Sequence, residues 1–157
     1  MKINQKALGV LILVSIFGTV FVTSGLGIWK TTNSKTPQKY VSTEYKDEYD
    51  PADIKGSYTF GEISQLYQVP LEDLAAAFSI EYEDAFSIKC KDIEAMFDST
   101  DGKEVGTDSV RLFVALYKGL PYEMSDETYL PAAAEKILTQ AGNMTEEQKL
   151  FVANHKK

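Results

Sequence analysis

The stretch YTFGEISQLYQVPLEDLAAAF, residues 58–78, predicts two short helices joined by a tight turn. Thr59 is followed three positions later by Glu62, which is the spacing of a capping box at the start of a helix. Apolar residues then recur on one helical face, namely Phe60, Ile63, Leu66 and Tyr67. Pro70 ends the first helix and suits the start of a second one. Modules that read DNA share this helix–turn–helix pattern, so DNA binding has to be considered.

The charge of this region argues against DNA binding. A recognition helix presents hydrogen-bond donors to base edges and cations to phosphates. Residues 71–78, which would form that helix, contain no lysine, arginine, asparagine or glutamine. Three of the 16 basic residues lie in the first 30 positions, so the rest of the chain carries 13 basic and 23 acidic residues, a net charge of −10. We expect no nucleic-acid partner, because such a surface repels phosphate.

Helical patterning continues along the rest of the chain. Residues 90–97 and 108–118 show a similar but less regular apolar pattern to that of the first helix pair, so we predict two helix–turn–helix-like units. Residues 108–118 are apolar almost all round, which is typical of a helix at the centre of a domain, and Gly119 can cap it. A further helix is predicted for residues 131–141, and a short one near the end of the chain. The predicted fold class is all-α, with about six short helices and no strand.

The first thirty residues differ sharply from the remainder. Residues 7–29 carry no charge, and a helix of that length would span roughly 34 Å against about 30 Å of bilayer hydrocarbon. Trp29 suits a membrane interface, and Lys6 and Lys30 bracket the span. We predict an uncleaved transmembrane anchor. A cleavable signal peptide that ends near Ser24 is the alternative.

Three regions follow from this composition. Residues 1–30 form the predicted N-terminal anchor, residues 31–53 a polar linker, and residues 54–157 an acidic, all-helical domain. Basic residues on the two sides of the span are nearly balanced in number. Because a short basic N-terminal tail commonly stays in the cytoplasm, we expect a single-pass membrane protein whose domain lies outside the cytoplasm.

Few chemistries are open to this composition. The chain has one cysteine, Cys90, and one histidine, His155, which cannot complete a zinc, haem or iron–sulfur site alone. We interpret Cys90 as a core residue, because His155 lies too near the end of the chain to serve as its base. No carboxylate pair stands in an isolated apolar setting. We therefore expect no catalytic residue, cofactor, metal or small-molecule substrate, and no enzyme activity.

Two segments resemble a known bacterial domain: DPADIKGSYTFGEISQLYQVPLEDLAAAF, from residue 50, and VGTDSVRLFVALYKGLPYEMSDETYLPAAAEKILTQAGNMTEEQ, from residue 105. They are similar to a small, uncharacterised domain of membrane-bound polyferredoxin-type iron–sulfur proteins and of b-type cytochrome-like membrane proteins. The resemblance covers about residues 50–149 and implies an accessory role beside a membrane electron-transfer system. The chain lacks the cysteine clusters and paired histidines that hold the cofactors of those proteins, so no catalytic residue is implied.

A binding role remains. Tyrosine is common in protein interfaces, and Tyr122 and Tyr129 fall in a predicted loop from which side chains can reach a partner. They are the candidate partner-binding residues. We predict a non-catalytic, membrane-anchored interaction module of a membrane protein complex. The alternative is a membrane-tethered regulator that uses helix–turn–helix units on DNA.

Overall fold

The computed structural model describes residues 9, 14, 15, 17, 18, 36–42, 44–97 and 102–157. The chain divides into two units, Met1–Ser34 and Lys35–Lys157. In the first unit the five described residues are helical and exposed. The predicted membrane span covers residues 7–29, and its other residues lie outside the part of the chain that the structure describes. Among the helices that are described, none combines the length and the apolar composition needed to cross a bilayer.

The described part of the second unit contains six α-helices. They are α1 (Phe60–Tyr67), α2 (Leu71–Ala77), α3 (Tyr82–Ala85), α4 (Thr107–Lys118), α5 (Ala132–Ala141) and α6 (Glu146–Asn154). Three short 3-10 helices accompany them, Pro51–Asp53, Cys90–Asp92 and Glu94–Met96. Extended residues form isolated bridges, such as that between Leu130 and Lys156, and no sheet strand occurs in the described ranges. The all-α prediction is confirmed.

The first predicted helix pair is present as α1 and α2. The Thr59 hydroxyl accepts a hydrogen bond from the Glu62 amide at 3.2 Å, and the Glu62 carboxylate accepts one from the Thr59 amide at 2.9 Å. This is the predicted capping box, which satisfies two amides that the helix itself leaves free. α1 ends at Gln68, whose φ of 55° is left-handed. The backbone therefore turns at Gln68, before Pro70 introduces α2.

The second predicted unit differs from the first. Residues 90–96 form two 3-10 helices and not one α-helix. Their amides bond to carbonyls three residues back, as in Ile93 to Cys90 at 3.3 Å, and the amides of Cys90 and Lys91 bond to Tyr58 and Gly56. These two bonds hold the start of the stretch against residues 56–58, where two short 3-10 helices replace the α-helix that the apolar pattern predicts.

Helix α4 lies at the centre of the hydrophobic core, as its composition predicts. Leu112, Phe113 and Leu116 are completely buried. Phe113 also joins a row of aromatic rings with Phe60, Phe78 and Tyr117, whose successive centroids are 5.4, 5.8 and 5.8 Å apart. Each large apolar side chain buried in this way contributes about 1.5–3 kcal/mol to folding, so α4 contributes strongly to the stability of the domain.

Residues 36–42 and 44–53, which fall in the predicted linker, make hydrogen bonds with one another and with the helical domain. The Gln38 amide donates to the Asp53 carboxylate at 2.9 Å. The Tyr40 hydroxyl donates to the Pro121 carbonyl at 2.6 Å, a residue 81 positions away in the sequence. Because these bonds hold the segment against the loop after α4, it forms one wall of the cleft described next.

Candidate docking cleft

A cleft of about 880 Å³ opens beside the first turn of α4. Its walls come from four parts of the chain: residues 40–52, Glu94, residues 104–109, and the loop 121–128. The loop is the one that follows α4, and the Tyr40–Pro121 hydrogen bond ties it to the first wall. The cleft is therefore built by chain segments that only the folded domain brings together.

The lining of the cleft is acidic and partly apolar. Its carboxylates are Asp50, Glu94, Glu104, Asp108, Glu123 and Glu127. Its larger apolar side chains are Tyr40, Pro121, Tyr122 and Met124. No lysine, arginine or histidine is found among the described residues that line it. Arg111 is nearby, but its guanidinium donates to the Ile54 carbonyl at 2.8 Å and pairs with Asp108, so it neutralises one carboxylate of the six.

The start of α4 is already occupied by groups of the chain itself. The Gly106 amide donates to the Ser109 hydroxyl at 3.0 Å, and that hydroxyl donates to the Tyr129 carbonyl at 2.6 Å. Glu94 packs so closely that a Cβ on Gly106 would lie 2.8 Å from its Cγ. Because Asp108 lies in the first turn, the positive end of the helix faces the protein's own carboxylates, and nothing here favours an external anion.

Two tyrosines supply neutral hydroxyls to the cleft. Burial, followed by the charge of Asp50, raises the pKa of Tyr40. Burial, followed by the charge of Asp108, raises the pKa of Tyr122. Both phenols stay protonated at neutral pH. The Tyr40 hydroxyl is already donated to the Pro121 carbonyl, so the cleft offers the two rings and the Tyr122 hydroxyl among its carboxylates.

The two tyrosines predicted as partner-binding residues lie in different surroundings. Tyr122 lines the cleft. Tyr129 does not: its ring lies 5.5 Å from the ring of His155, and the Lys103 ammonium lies 5.3 Å from the Tyr129 ring centroid. Both are half-buried and contact the core. The structure therefore brings only Tyr122 to this site.

Sequence reasoning missed most of the cleft. Its carboxylates come from four segments that lie apart in the sequence, so they form no linear motif. Tyr40 and Asp50 fall within the predicted linker, where no contact with the domain was expected. The available signal was the net charge of −10 after residue 30, which indicates an acidic surface but not its position.

Neither Cys90 nor His155 is placed for nucleophilic chemistry. Cys90 is fully buried, and burial raises the pKa of its thiol to about 12. The Nδ1 atom of His155 lies 3.0 Å from the Phe151 carbonyl, and its ring stacks on the Phe151 ring at 3.9 Å. Within the described ranges, no three side chains of His, Cys, Asp or Glu converge to hold a metal ion. The cleft carboxylates are thus spread along the walls and do not meet at one point.

Comparison with known proteins identifies no relative for this cleft. No family model, no curated protein and no solved structure matches the chain.

Proposed function

We propose that the chain is a non-catalytic interaction module, anchored in a membrane, whose cleft receives a positively charged segment of a partner protein. The proposal rests on the lining of the cleft, which has a volume of about 880 Å³. This lining is acidic, includes two tyrosines and has no basic side chain among its described residues. Lysine and arginine donate hydrogen bonds to carboxylates, and their aliphatic stems pack on aromatic rings. A basic segment would therefore satisfy both parts of the lining.

A polypeptide fits the cleft better than a small cation. The carboxylates come from four walls and do not converge, so a single ion would contact few of them. An extended segment with several basic residues could pair with them in turn. Carboxylates of this kind would speed association and select the partner, whereas an apolar anchor such as Tyr122 would supply more of the affinity.

The membrane setting is supported by the sequence. Residues 7–29 are uncharged and long enough to span a bilayer as a helix, and lysines flank them. The resemblance to domains of polyferredoxin-type and b-type cytochrome-like membrane proteins supports a position beside a membrane electron-transfer complex. We place the domain outside the cytoplasm of a bacterial cell, where its partner would be an exposed part of that complex.

No observation favours the alternative of a DNA-binding regulator. Helix α2, which would enter the major groove, exposes Glu72 and Ala76, and its other residues are buried or half-buried. The Asp73 carboxylate accepts a hydrogen bond from the Tyr117 hydroxyl at 2.6 Å. This helix is used for packing against α4 and α5, and it offers no cation to a phosphate.

Charge reversal in the cleft tests the proposal. The tagged full-length chain, solubilised from membranes in mild detergent, is purified with whatever binds it and compared with the double variant Glu123→Lys, Glu127→Lys. The matched control reverses two exposed glutamates outside the cleft, Glu72→Lys and Glu147→Lys. We expect the cleft variant to lose its co-purifying partner and the control to retain it. Equal retention by both variants would show that the cleft is not the docking site.

A further inference from the structure

A second, apolar groove of about 310 Å³ lies between the end of α2 and the Glu94–Met96 helix. Its apolar lining consists of Phe78, Ile80, Ile88, Met96 and Phe97. Ser79 follows α2 in a left-handed conformation, with φ of 55°, and this turn leads the chain from Phe78 to Ile80. The groove shares no lining residue with the acidic cleft, so the two surfaces can be tested separately.

Three of the exposed large apolar side chains belong to residues 78–97, the stretch of chain that supplies the lining of this groove. Met96, which lines it, is 51% exposed. Tyr82 and Phe86, in and directly after α3, are each 55% exposed. Among the described residues of the second unit, the remaining large exposed hydrophobics, Val41 and Leu150, lie far from this stretch in the sequence. Single exposed apolar residues are ordinary, but an exposed methionine in the lining of an apolar groove is a feature of interaction surfaces.

The charges at the groove have one sign. Glu81 and Asp84 line it, and Glu83 is exposed between them on α3. Lys89 and Lys91 are the nearest basic residues in the sequence, and neither lines the groove. The Lys91 Cβ lies against Gly56, 3.1 Å from where a Cβ on that glycine would be. The groove therefore combines an apolar floor with two carboxylates that form no ion pair with the lysines or arginine of the described residues.

We propose that this groove binds an amphipathic segment of a second partner protein, with its apolar face against Met96 and its lysines or arginines against Glu81 and Asp84. Grooves of this kind accept a helix through apolar residues that recur every three or four positions. The carboxylates oppose an anionic lipid surface and a second copy of this acidic chain. The chain then joins two proteins, one basic segment in the cleft and one amphipathic segment in the groove.

A fluorescent label beside the groove provides the test. The full chain carries Glu83→Cys labelled with bimane and is reconstituted in lipid nanodiscs; the native Cys90 is fully buried and stays unlabelled. The probe is a synthetic helix of about 14 residues with leucines on one face, lysines on the other and one tryptophan, which quenches nearby bimane. A matched probe has glutamate for every lysine. Titrations are run at about 150 mM salt, so that weak long-range attraction is screened.

We expect saturable quenching by the lysine probe, and affinity at least about tenfold lower for the glutamate probe. Met96→Lys should weaken binding of the lysine probe about tenfold, Met96→Ala less, and the control Leu150→Lys, at an exposed apolar site on α6, not at all. Equal quenching by both probes, or binding unchanged in Met96→Lys, would overturn the proposal. So would a bimane signal that responds to protein concentration alone, which indicates a second copy, or to anionic vesicles alone.

Discussion

Gly119 shows how a single residue ends the central helix. Its φ of 68° is left-handed, and its neighbour Leu120 donates an amide hydrogen bond to the Ala115 carbonyl at 2.9 Å. A Cβ at this position would clash with the side-chain nitrogen of Asn143. The position therefore requires glycine for two reasons, the backbone conformation and the close approach of the segment before α6.

We predict that Gly119→Ala lowers the free energy of unfolding by about 1–3 kcal/mol, because alanine pays for the left-handed backbone and displaces Asn143. Gly102→Ala is the matched control, since Gly102 has φ of 74° but no atom of the described residues within 4 Å of a new Cβ. Urea unfolding of both variants should show the larger loss at position 119. Equal losses would mean that the contact with Asn143 contributes nothing.

The Tyr58 hydroxyl is a buried polar group without a hydrogen-bond partner among the described residues. The Tyr67 hydroxyl, by contrast, donates to the Asp50 carbonyl at 2.9 Å. We predict that Tyr58→Phe leaves stability unchanged or raises it by up to about 1 kcal/mol, because an unsatisfied hydroxyl is removed. Tyr67→Phe should cost about 1 kcal/mol. Thermal melts of the pair check this, and a large loss for Tyr58→Phe would reveal a hidden partner.

At the scale of elements, α1 depends on its capping box. Thr59→Ala removes the oxygen that accepts from the Glu62 amide, so we predict a loss of about 0.5–2 kcal/mol. Thr59→Ser keeps that oxygen and should restore most of the stability. Denaturant unfolding of the three proteins separates the outcomes. If the serine variant is as unstable as the alanine variant, the Thr59 methyl group and not the cap is what matters.

Elements with local signals could be predicted from the sequence. The Thr59–Glu62 box gave the start of α1, and a continuous apolar run ended by Gly119 gave α4. Residues 90–97 were predicted as one helix, but they form two 3-10 helices, and the amides of Cys90 and Lys91 bond to the carbonyls of Tyr58 and Gly56 across the fold. Hydrogen bonds between distant segments produce no periodic pattern in the sequence.

The same reason explains why the cleft was not foreseen. One of its walls is a segment whose composition is typical of a linker, and a long-range hydrogen bond from the Tyr40 hydroxyl to the Pro121 carbonyl holds that segment in place. Tyr122 could be selected from its loop position alone. Tyr129 has the same sequence signals, yet its ring lies beside His155 and Lys103, so composition could not separate the two roles.

At the scale of the whole molecule, buried weak acids set the response to alkaline pH. Burial raises the pKa of the Cys90 thiol from 9.0 to about 12. Burial, followed by the hydrogen bond to Asp73, raises the pKa of Tyr117 from 10.0 to about 12. Burial also raises the pKa of Tyr67. The folded state holds these protons more tightly than the unfolded state does, so the stabilisation they give is complete below the unfolded pKa values and is lost as pH rises towards the folded ones.

We therefore predict that the free energy of unfolding falls progressively between about pH 9 and pH 12. Urea unfolding at a series of pH values measures it, and the midpoint should move to lower urea as pH rises. Cys90→Ala lacks one of the titrating groups, so its stability, although lower at neutral pH, should decline less steeply. A midpoint that stays constant up to about pH 11 would contradict the raised pKa values.

Tyr122 and Tyr129 lie in different surroundings, so their substitution should affect the proposed docking differently. Tyr122 lines the acidic cleft, so we predict that Tyr122→Ala reduces the amount of co-purifying partner about tenfold or more, as loss of an interface anchor does. Tyr129 packs against His155, and the Lys103 ammonium lies over its ring, so Tyr129→Ala should lower the free energy of unfolding by about 1–3 kcal/mol and affect binding only through folding.

Melting temperature and co-purification from solubilised membranes are measured on the same samples. If Tyr122→Ala melts as low as Tyr129→Ala and both lose the partner equally, Tyr122 is a core residue and the anchor lies elsewhere in the cleft.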